Sequence, residues 1–209
     1  MKTLLLIGDS IRMGYEKSVR KTLDGKARVV CAGDSARFAA YLLRIIHEET
    51  GGVNRGEIDV IHWNVGLWDC LRLFGEDVQT PIDIYAYYID RICQRIKKVF
   101  PQAKVFFATS TRVLSEKMDK NFMRRNEDIE QYNAVATHIA QKYGFEIDDL
   151  YAVSALLPEE AHSDPTHYYT PMGTEVLTNA VLSAVLPALD ITEPLTYHED
   201  MYTDKPHGI

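Results

Sequence analysis

The 209-residue sequence contains few cysteines, and their arrangement argues against two classes of small stabilised domain. Cys31, Cys70 and Cys93 are odd in number, lie far apart and form no Cys-x-x-Cys pair. A disulfide framework needs paired cysteines, and a structural zinc site needs closely spaced ligands. We therefore expect reduced thiols, mostly within a hydrophobic core.

Long hydrophobic segments are also lacking. No stretch of the sequence approaches the roughly 18 apolar residues that a membrane-spanning helix requires. The apolar run at the N-terminus is too short for a signal peptide, and it leads into Gly8-Asp9-Ser10 without a cleavage site of small residues. We interpret this run as a first strand and expect a cytoplasmic protein.

Positively charged residues are fewer than negatively charged ones. The chain has 23 Lys and Arg against 30 Asp and Glu, which gives a formal net charge of -7. An acidic surface repels phosphate backbones and anionic lipids, so the sequence argues against nucleic-acid and membrane partners and favours a small neutral or cationic substrate. No glycine-rich phosphate loop and no cluster with metal-ligand spacing is present, so we expect neither a cofactor nor a metal.

Segments of strand and helix character alternate along the chain. Short apolar runs predict five strands, at residues 3–7, 27–32, 58–64, 104–109 and 145–147. Helices are predicted at about 12–23, from a Ser35 cap to Gly51-Gly52, after Pro81 to residue 99, at 125–143 and at 171–186. The third of these has the clearest pattern, with apolar residues three or four positions apart along one face.

This alternation predicts an α/β fold. We expect a three-layer α/β/α sandwich around a five-stranded parallel sheet, with the flavodoxin-like strand order 2-1-3-4-5. Residues 1–189 are assigned to one domain. Residues 190–209 are interpreted as a C-terminal tail or arm that covers the domain or a partner's surface. A homo-oligomer is therefore one possible state of the protein.

Ser10 is the first candidate for chemistry, because it follows the first predicted strand at the sheet edge where ligands bind. A serine nucleophile needs a base, and the base needs an orienting carboxylate. Asp164 lies three residues before His167, so its carboxylate can fold back onto Nδ1 of the imidazole and leave Nε2 free. Each signal alone has a simpler explanation, a helix cap or an ordinary loop, but the two together favour catalysis.

With these residues the chain resembles the SGNH hydrolases, also called the GDSL family. The matches follow the family's order over essentially the whole chain: Gly8-Asp9-Ser10 in the first block, Gly33 in the second, Gly66-Leu67-Trp68-Asp69 in the third and Asp164-Pro165-Thr166-His167 in the fifth. The resemblance implies the SGNH fold, Ser10 as nucleophile and Asp164 and His167 as its supporting pair. It also implies an oxyanion hole that includes the backbone N–H groups of Ser10 and Gly33.

The third block departs from the family pattern. Its usual form is Gly-x-Asn-Asp, whose asparagine donates a hydrogen bond to the oxyanion, and Trp68 stands in that position here. Loss of one such donor costs roughly 3–4 kcal/mol of transition-state stabilisation. Asn64 is the nearest substitute in sequence, and we predict that its side chain supplies the missing donor. The alternative is that Asn64 only ties the turn together.

Other residues near these blocks are expected to shape the substrate pocket, namely Asp9, Trp68, Arg112 and Tyr168. The indole of Trp68 is suited to stacking on a sugar ring, although packing is an equal alternative for it, and solvent exposure is one for Arg112. Ser35, in a second Gly-Asp-Ser, is interpreted as a helix cap and not as a nucleophile. His62, within a predicted strand, is interpreted as structural.

The function predicted from the sequence is that of a serine esterase acting on short-chain acyl esters, with an acetylated sugar as the favoured substrate. The acidic surface, the absence of a long apolar lid and Trp68 motivate this carbohydrate O-acetylesterase hypothesis. A lipase- or thioesterase-like acylhydrolase is one alternative. A non-catalytic carbohydrate-binding relative is another, and the missing third-block asparagine is its only support.

Overall fold

The computed structural model describes residues 1–193. Its strands are β1 (Thr3–Ile7), β2 (Arg28–Cys31), β3 (Val60–Trp63), β4 (Arg72–Leu73), β5 (Lys104–Ala108), β6 (Phe122–Met123) and β7 (Glu146–Asp148). Its α-helices are α1 (Ser10–Thr22), α2 (Ala39–Ile45), α3 (Ile82–Val99), α4 (Asn126–Lys142), α5 (Leu150–Ala155) and α6 (Pro171–Val185). Most of the predicted tail lies outside the described residues, so its role as an arm stays a prediction.

A parallel sheet with the order β2-β1-β3-β5-β7 forms the centre of the fold. Leu4 in β1 is aligned with Val29 on one side and with Val60 on the other. All five residues of β1 are buried, which is why this strand appears in the sequence as an unbroken apolar run. The predicted α/β architecture and strand order are confirmed.

The α-helices flank the central sheet and form the outer layers of the fold. Helix α1 packs against α6, while α3 packs against both α2 and α4. The buried face of α3 carries Tyr85, Ile89, Ile92 and Ile96, so the stripe that is evident in the sequence is the face that packs in the core. Within residues 1–193, no helix has the combination of length and apolar character that crossing a bilayer demands.

The start of α2 differs from the sequence-based expectation. The helix begins at Ala39, and its cap residue Phe38 makes no side-chain capping hydrogen bond. Ser35 Oγ instead accepts from the N–H of Arg37 at 3.3 Å, inside a turn where Arg37 has a left-handed φ of 49°. Ser35 as a helix cap is therefore wrong, because the chain turns once more before the helix starts.

Two short strands that the sequence pattern did not reveal form a small antiparallel ribbon. In it β4 pairs with β6, with Arg72 opposite Met123 and Leu73 opposite Phe122. Each strand has only two residues, too few for an alternating pattern to be recognised. The ribbon joins the segment after the third block to the end of the long polar loop that precedes α4.

Candidate active site

Ser10 lies at the first position of α1, directly after β1. Asp9 caps this helix, and its Oδ1 accepts from the N–H of Ile11 at 3.0 Å. The N–H of Ser10 has no partner within the helix and lies at its positive end, where negative charge is stabilised. The local structure therefore places a serine hydroxyl beside a ready-made anion-binding group.

The structure brings Ser10 together with the two residues that the sequence paired with it. Ser10 Oγ lies 2.8 Å from Nε2 of His167, although 157 residues separate them in the chain. On the other side of the ring, Nδ1 of His167 lies 2.8 Å from Oδ2 and 3.0 Å from Oδ1 of Asp164. Hydroxyl, imidazole and carboxylate thus form one continuous chain of hydrogen bonds.

Asp164 is held ionised by its surroundings. Its Oδ1 accepts from the N–H of Thr166 at 2.8 Å and from the N–H of His167 at 3.0 Å. Burial acts to raise the pKa of Asp164, but the hydrogen bond and charge of His167, with these two N–H groups, outweigh it and lower the pKa to about 2. An ionised carboxylate only accepts hydrogen bonds. The proton between Asp164 and His167 therefore lies on Nδ1, which leaves Nε2 to accept the Ser10 proton.

Tyr169 contacts both Ser10 and His167. Its ring stacks on the imidazole with centroids 4.7 Å apart and planes 19° from parallel. Its hydroxyl donates to the main-chain carbonyl of Ser10 at 2.7 Å. The Tyr-Tyr pair after His167 offers no local signal in the sequence that Tyr169, and not Tyr168, faces the serine.

Tyr168 and Arg112, both predicted to line the pocket, lie against each other. The Tyr168 hydroxyl donates to the carbonyl of Arg112 at 2.8 Å, and its ring lies 4.1 Å from that of His162. The N–H of Arg112 donates to Oγ of Ser154 at 2.9 Å. These contacts join the chain after β5 to α5 and to the loop that carries the base.

Asn64 donates to Asp9. Its Nδ2 lies 2.8 Å from Asp9 Oδ1, and both side chains are buried. Burial raises the pKa of Asp9, while the hydrogen bonds from Asn64 and Ile11 and the charges of His167 and Arg124 oppose that rise. In this structure the donor that we predicted for the oxyanion thus holds the residue before the nucleophile.

Gly33 and Asp69 each have a partner of their own. The N–H of Gly33 donates to Oε2 of Glu49 at 2.7 Å. The carboxylate of Asp69, in the third block, accepts from the N–H of Ala39 at 3.0 and 3.2 Å and so fixes the start of α2. Burial raises the pKa of Asp69 to about 7.

Trp68 belongs to an aromatic and cationic cluster. Its ring meets that of Phe122 edge to face at 6.4 Å, and the guanidinium carbon of Arg124 lies 5.9 Å from the Trp68 ring and 5.2 Å from the Phe122 ring. Phe122 is exposed, whereas Arg124 is only 3% exposed. Arg124 was not selected from the sequence, where it ends a polar loop and no periodicity marks it as buried.

Two further buried polar groups support the framework. Arg12 donates to the carbonyl of Asp34 at 2.7 Å and to that of Ala32 at 3.2 Å, which ties α1 to the chain after β2. His62 is fully buried, and its Nε2 lies 2.9 Å from Asp148 Oδ2, across the sheet from β3 to the end of β7. These contacts agree with the structural interpretation of His62.

Comparison with solved structures shows the same fold in esterases and lipases. No protein-family model and no curated protein matches the sequence. A lipase/acylhydrolase from Enterococcus faecalis superposes with a TM-score of 0.71 at 17% identity, over 95% of this chain and 99% of that one. An acetylxylan esterase from Geobacillus stearothermophilus gives 0.69 at 21% identity, over 88% and 94%. A second acetyl xylan esterase gives 0.68 at 20% identity, over 88% and 99%.

The chain has the SGNH hydrolase fold. At these identities the likeness concerns the fold alone, so a function can be inferred only from the arrangement of the side chains. In open parallel α/β sheets ligands bind outside the carboxyl ends of the strands, which is where Ser10 and Asn64 lie, after β1 and β3. A cavity of about 430 Å³ lined by Lys2, Lys104 and Glu146 lies at the opposite end of the strands.

Proposed function

We propose that the protein is an SGNH-type serine hydrolase acting on carboxylic esters, with Ser10 as nucleophile, His167 as general base and Asp164 as orienting carboxylate. The observation that carries this proposal is the unbroken chain from Ser10 Oγ through both ring nitrogens of His167 to the Asp164 carboxylate, with every link at 2.8 Å. A free serine hydroxyl is a weak nucleophile, and this arrangement is what activates it.

The first half of the reaction forms an acyl-enzyme. Ser10 Oγ attacks the ester carbonyl carbon while its proton passes to Nε2 of His167, and the carbonyl electron pair moves onto oxygen to give a tetrahedral oxyanion. Asp164 stabilises the imidazolium that results. When the carbon–oxygen bond of the alcohol breaks, His167 returns the proton to the leaving oxygen, and the acyl group stays on Ser10.

The second half repeats these steps with water. His167 accepts a proton from the water molecule as its oxygen attacks the acyl carbon, and a second oxyanion forms. Its collapse breaks the bond to Ser10, whose oxygen takes the proton back, and the carboxylic acid leaves. The chemistry needs no electron transfer, and every proton moves through Nε2.

The oxyanion hole is proposed to include the N–H groups of Ser10 and Gly33 and the side chain of Asn64. The N–H of Ser10 is the best placed, because it stands at the start of α1 beside its own hydroxyl. Gly33 can take part only when Glu49 releases its N–H. Asn64 can take part only with the amide hydrogen that does not bind Asp9.

An acetyl ester of a carbohydrate is the proposed substrate. Trp68 and the exposed Phe122 offer aromatic faces near the loop of the third block, and such faces suit the apolar side of a sugar ring. Solved structures with this fold include acetylxylan esterases, which supports an acetylated sugar over a long acyl chain.

Covalent labelling combined with ester hydrolysis tests this proposal. Wild type is expected to react with a fluorophosphonate probe and to hydrolyse p-nitrophenyl acetate faster than the butyrate and octanoate esters. Ser10→Ala is expected to lose both labelling and hydrolysis. Ser35→Ala serves as the matched control, since it alters the serine of the other Gly-Asp-Ser. Activity that survives Ser10→Ala but not Ser35→Ala would overturn the assignment of the nucleophile.

The chain-length profile separates the acetylesterase from a lipase- or thioesterase-like acylhydrolase, for which octanoate would be the better substrate. A carbohydrate-binding protein without activity is the second candidate. Trp68 in place of the third-block asparagine and the occupied N–H of Gly33 favour it. Such a protein would bind acetylated xylo-oligosaccharides in calorimetry and leave the fluorophosphonate probe unreacted.

A further inference from the structure

Arg124 is a buried cation whose hydrogen-bond partners are both neutral. Its Nε donates to the carbonyl of Leu67, and its Nη1 lies 3.5 Å from Oγ1 of Thr166. In the part of the chain that the structure describes, no carboxylate forms an ion pair with it. Removing a cation from water without a paired anion is costly, and burial accordingly lowers the pKa of Arg124.

The two partners of Arg124 lie in the two loops that matter for catalysis. Leu67 precedes Trp68 in the third block, and Thr166 precedes the proposed base His167. The charges of Asp9 and Asp164, on either side of the nucleophile and the base, also act on the Arg124 guanidinium. Arg124 therefore connects the loop that lacks its usual donor with the loop of the base, through its contacts with Leu67 and Thr166.

This charge lies where the family pattern has lost a donor. The indole of Trp68 has one N–H donor, and its ring packs against Phe122 and Arg124. One of the two amide hydrogens of Asn64 binds Asp9, and the N–H of Gly33 binds Glu49. Nη2 of Arg124, by contrast, is used by neither of the hydrogen bonds that hold the guanidinium.

We propose that Arg124 is a catalytic residue that replaces the third-block asparagine, by donating from Nη2 to the oxyanion that forms when Ser10 attacks the ester. This inference rests on the proposed function. A buried cation without an ion-pair partner is stabilised most when the substrate oxygen becomes negative, so its effect falls on the transition state and not on the bound neutral ester.

Two neutral substitutions test the role of Arg124, with the neighbouring arginine as a matched control. Arg124→Met keeps much of the side-chain length, and Arg124→Gln keeps a donor for the Leu67 carbonyl and serves where the Met variant does not fold. Arg125→Met makes the same change at an exposed arginine one residue along the chain. The kcat and KM for p-nitrophenyl acetate, a neutral ester, are measured for each folded variant, with circular dichroism as the check of folding.

The expected result is a fall in kcat of about 10²–10³-fold in the neutral variants, with kcat/KM reduced by a similar factor and KM nearly unchanged. Arg124→Lys, which restores the charge, is expected to recover at least about tenfold of that loss, while Arg125→Met keeps the wild-type kcat. A neutral variant that folds and retains kcat within about threefold of wild type overturns the proposal. A loss confined to KM overturns it too, because that is the result for a residue that only binds substrate.

Failure of this inference is distinct from failure of the proposed function. If wild type neither labels with fluorophosphonate nor hydrolyses any ester, the proposed function fails and the inference fails with it. If wild type labels at Ser10 and hydrolyses acetate while the neutral Arg124 variants do so equally fast, only the inference fails.

Discussion

The side-chain oxygen of Asn64 lies against the backbone of Gly8, so close that a Cβ atom on residue 8 would come within 1.8 Å of it. The same Cβ would lie 2.8 Å from Cβ of Arg12. The glycine of the first block is thus required by close packing, since the turn before Ser10 rests directly on Asn64. Asn64 in turn binds Asp9, so Gly8, Asp9 and Asn64 together support the turn that carries the nucleophile.

Replacing Gly8 by alanine is therefore expected to displace Asn64 and to disturb the turn that presents Ser10. We expect Gly8→Ala to lower the free energy of unfolding by about 1–3 kcal/mol, as overpacking of a filled site does, and to lower esterase kcat at least tenfold. Urea unfolding and hydrolysis of p-nitrophenyl acetate measure the two effects. Gly56→Ala is the control, because a Cβ there meets no atom within 4 Å. Equal stability and activity in the two variants would contradict the packing argument.

Asp164→Asn tests the carboxylate that orients the base. The amide can donate to Nδ1 as well as accept, so the imidazole loses its preference for the tautomer that leaves Nε2 free, and the imidazolium loses its counter-charge. We expect kcat to fall by about 10²–10⁴-fold with little change in KM. Asp24→Asn, at an exposed position just after the C-terminal end of α1, makes the same change as a control. Loss of less than about threefold in Asp164→Asn would show that His167 does not depend on this carboxylate.

The low pKa of Asp164 also predicts the direction of a pH effect on folding. A carboxylate whose pKa is about 2 in the folded state, below its ordinary value, stabilises the fold above pH 4. That stabilisation is lost as pH falls from about 4 to 2, and it is modest because the side chain is 45% exposed. The difference in unfolding free energy between wild type and Asp164→Asn should therefore shrink over this range. A difference that grows towards acid pH would contradict the assignment of a lowered pKa.

Asp69 is predicted to affect the pH dependence of folding in the opposite direction from Asp164. Its pKa in the folded state is raised to about 7, so between pH 4 and 7 the folded protein holds a proton that the unfolded chain has lost. Stability is therefore lost as pH rises through this window, by up to about 1.4 kcal/mol for each pH unit, and becomes constant above pH 7. Asp69→Asn removes this titration, so the stability of the variant relative to wild type should increase from pH 4 to 7. Denaturant unfolding at several pH values measures it, and a difference independent of pH would refute it.

Tyr169→Phe separates the role of the Tyr169 hydroxyl from that of its ring. The phenylalanine ring keeps its stacking on His167, while the carbonyl of Ser10 loses the hydrogen bond from the tyrosine hydroxyl. We expect a loss of about 0.5–1.5 kcal/mol in unfolding free energy with kcat reduced less than tenfold, whereas Tyr169→Leu, which removes the ring as well, should reduce kcat further. Tyr143→Phe, which loses a hydroxyl bound to Asp90, is the control. If Phe and Leu at position 169 give the same kcat, the stacked ring does not position the base.

Local patterns in the sequence were sufficient for the architecture and for the core of the site. The apolar runs of the strands and the spacing of Tyr85, Ile89 and Ile92 reflect burial in the core. Burial leaves its pattern in each strand or helix separately, so each pattern can be recognised without the rest of the fold. Asp164 and His167 are three residues apart, so their contact depends on one loop only. Ser10 joins them because the strand ends of a parallel sheet meet at one edge, a consequence of the fold class.

Only the tertiary structure decided which partners the remaining polar groups take. Asn64 binds Asp9, the Gly33 N–H binds Glu49, Tyr169 rather than Tyr168 faces Ser10, and Arg124 is buried beside Trp68. Each of these outcomes depends on how loops from distant parts of the chain pass one another. Loops have no periodicity that marks an inward-facing side. Hydrogen bonds and charge contacts between residues 16 to 159 positions apart in the sequence are therefore determined by the assembled fold.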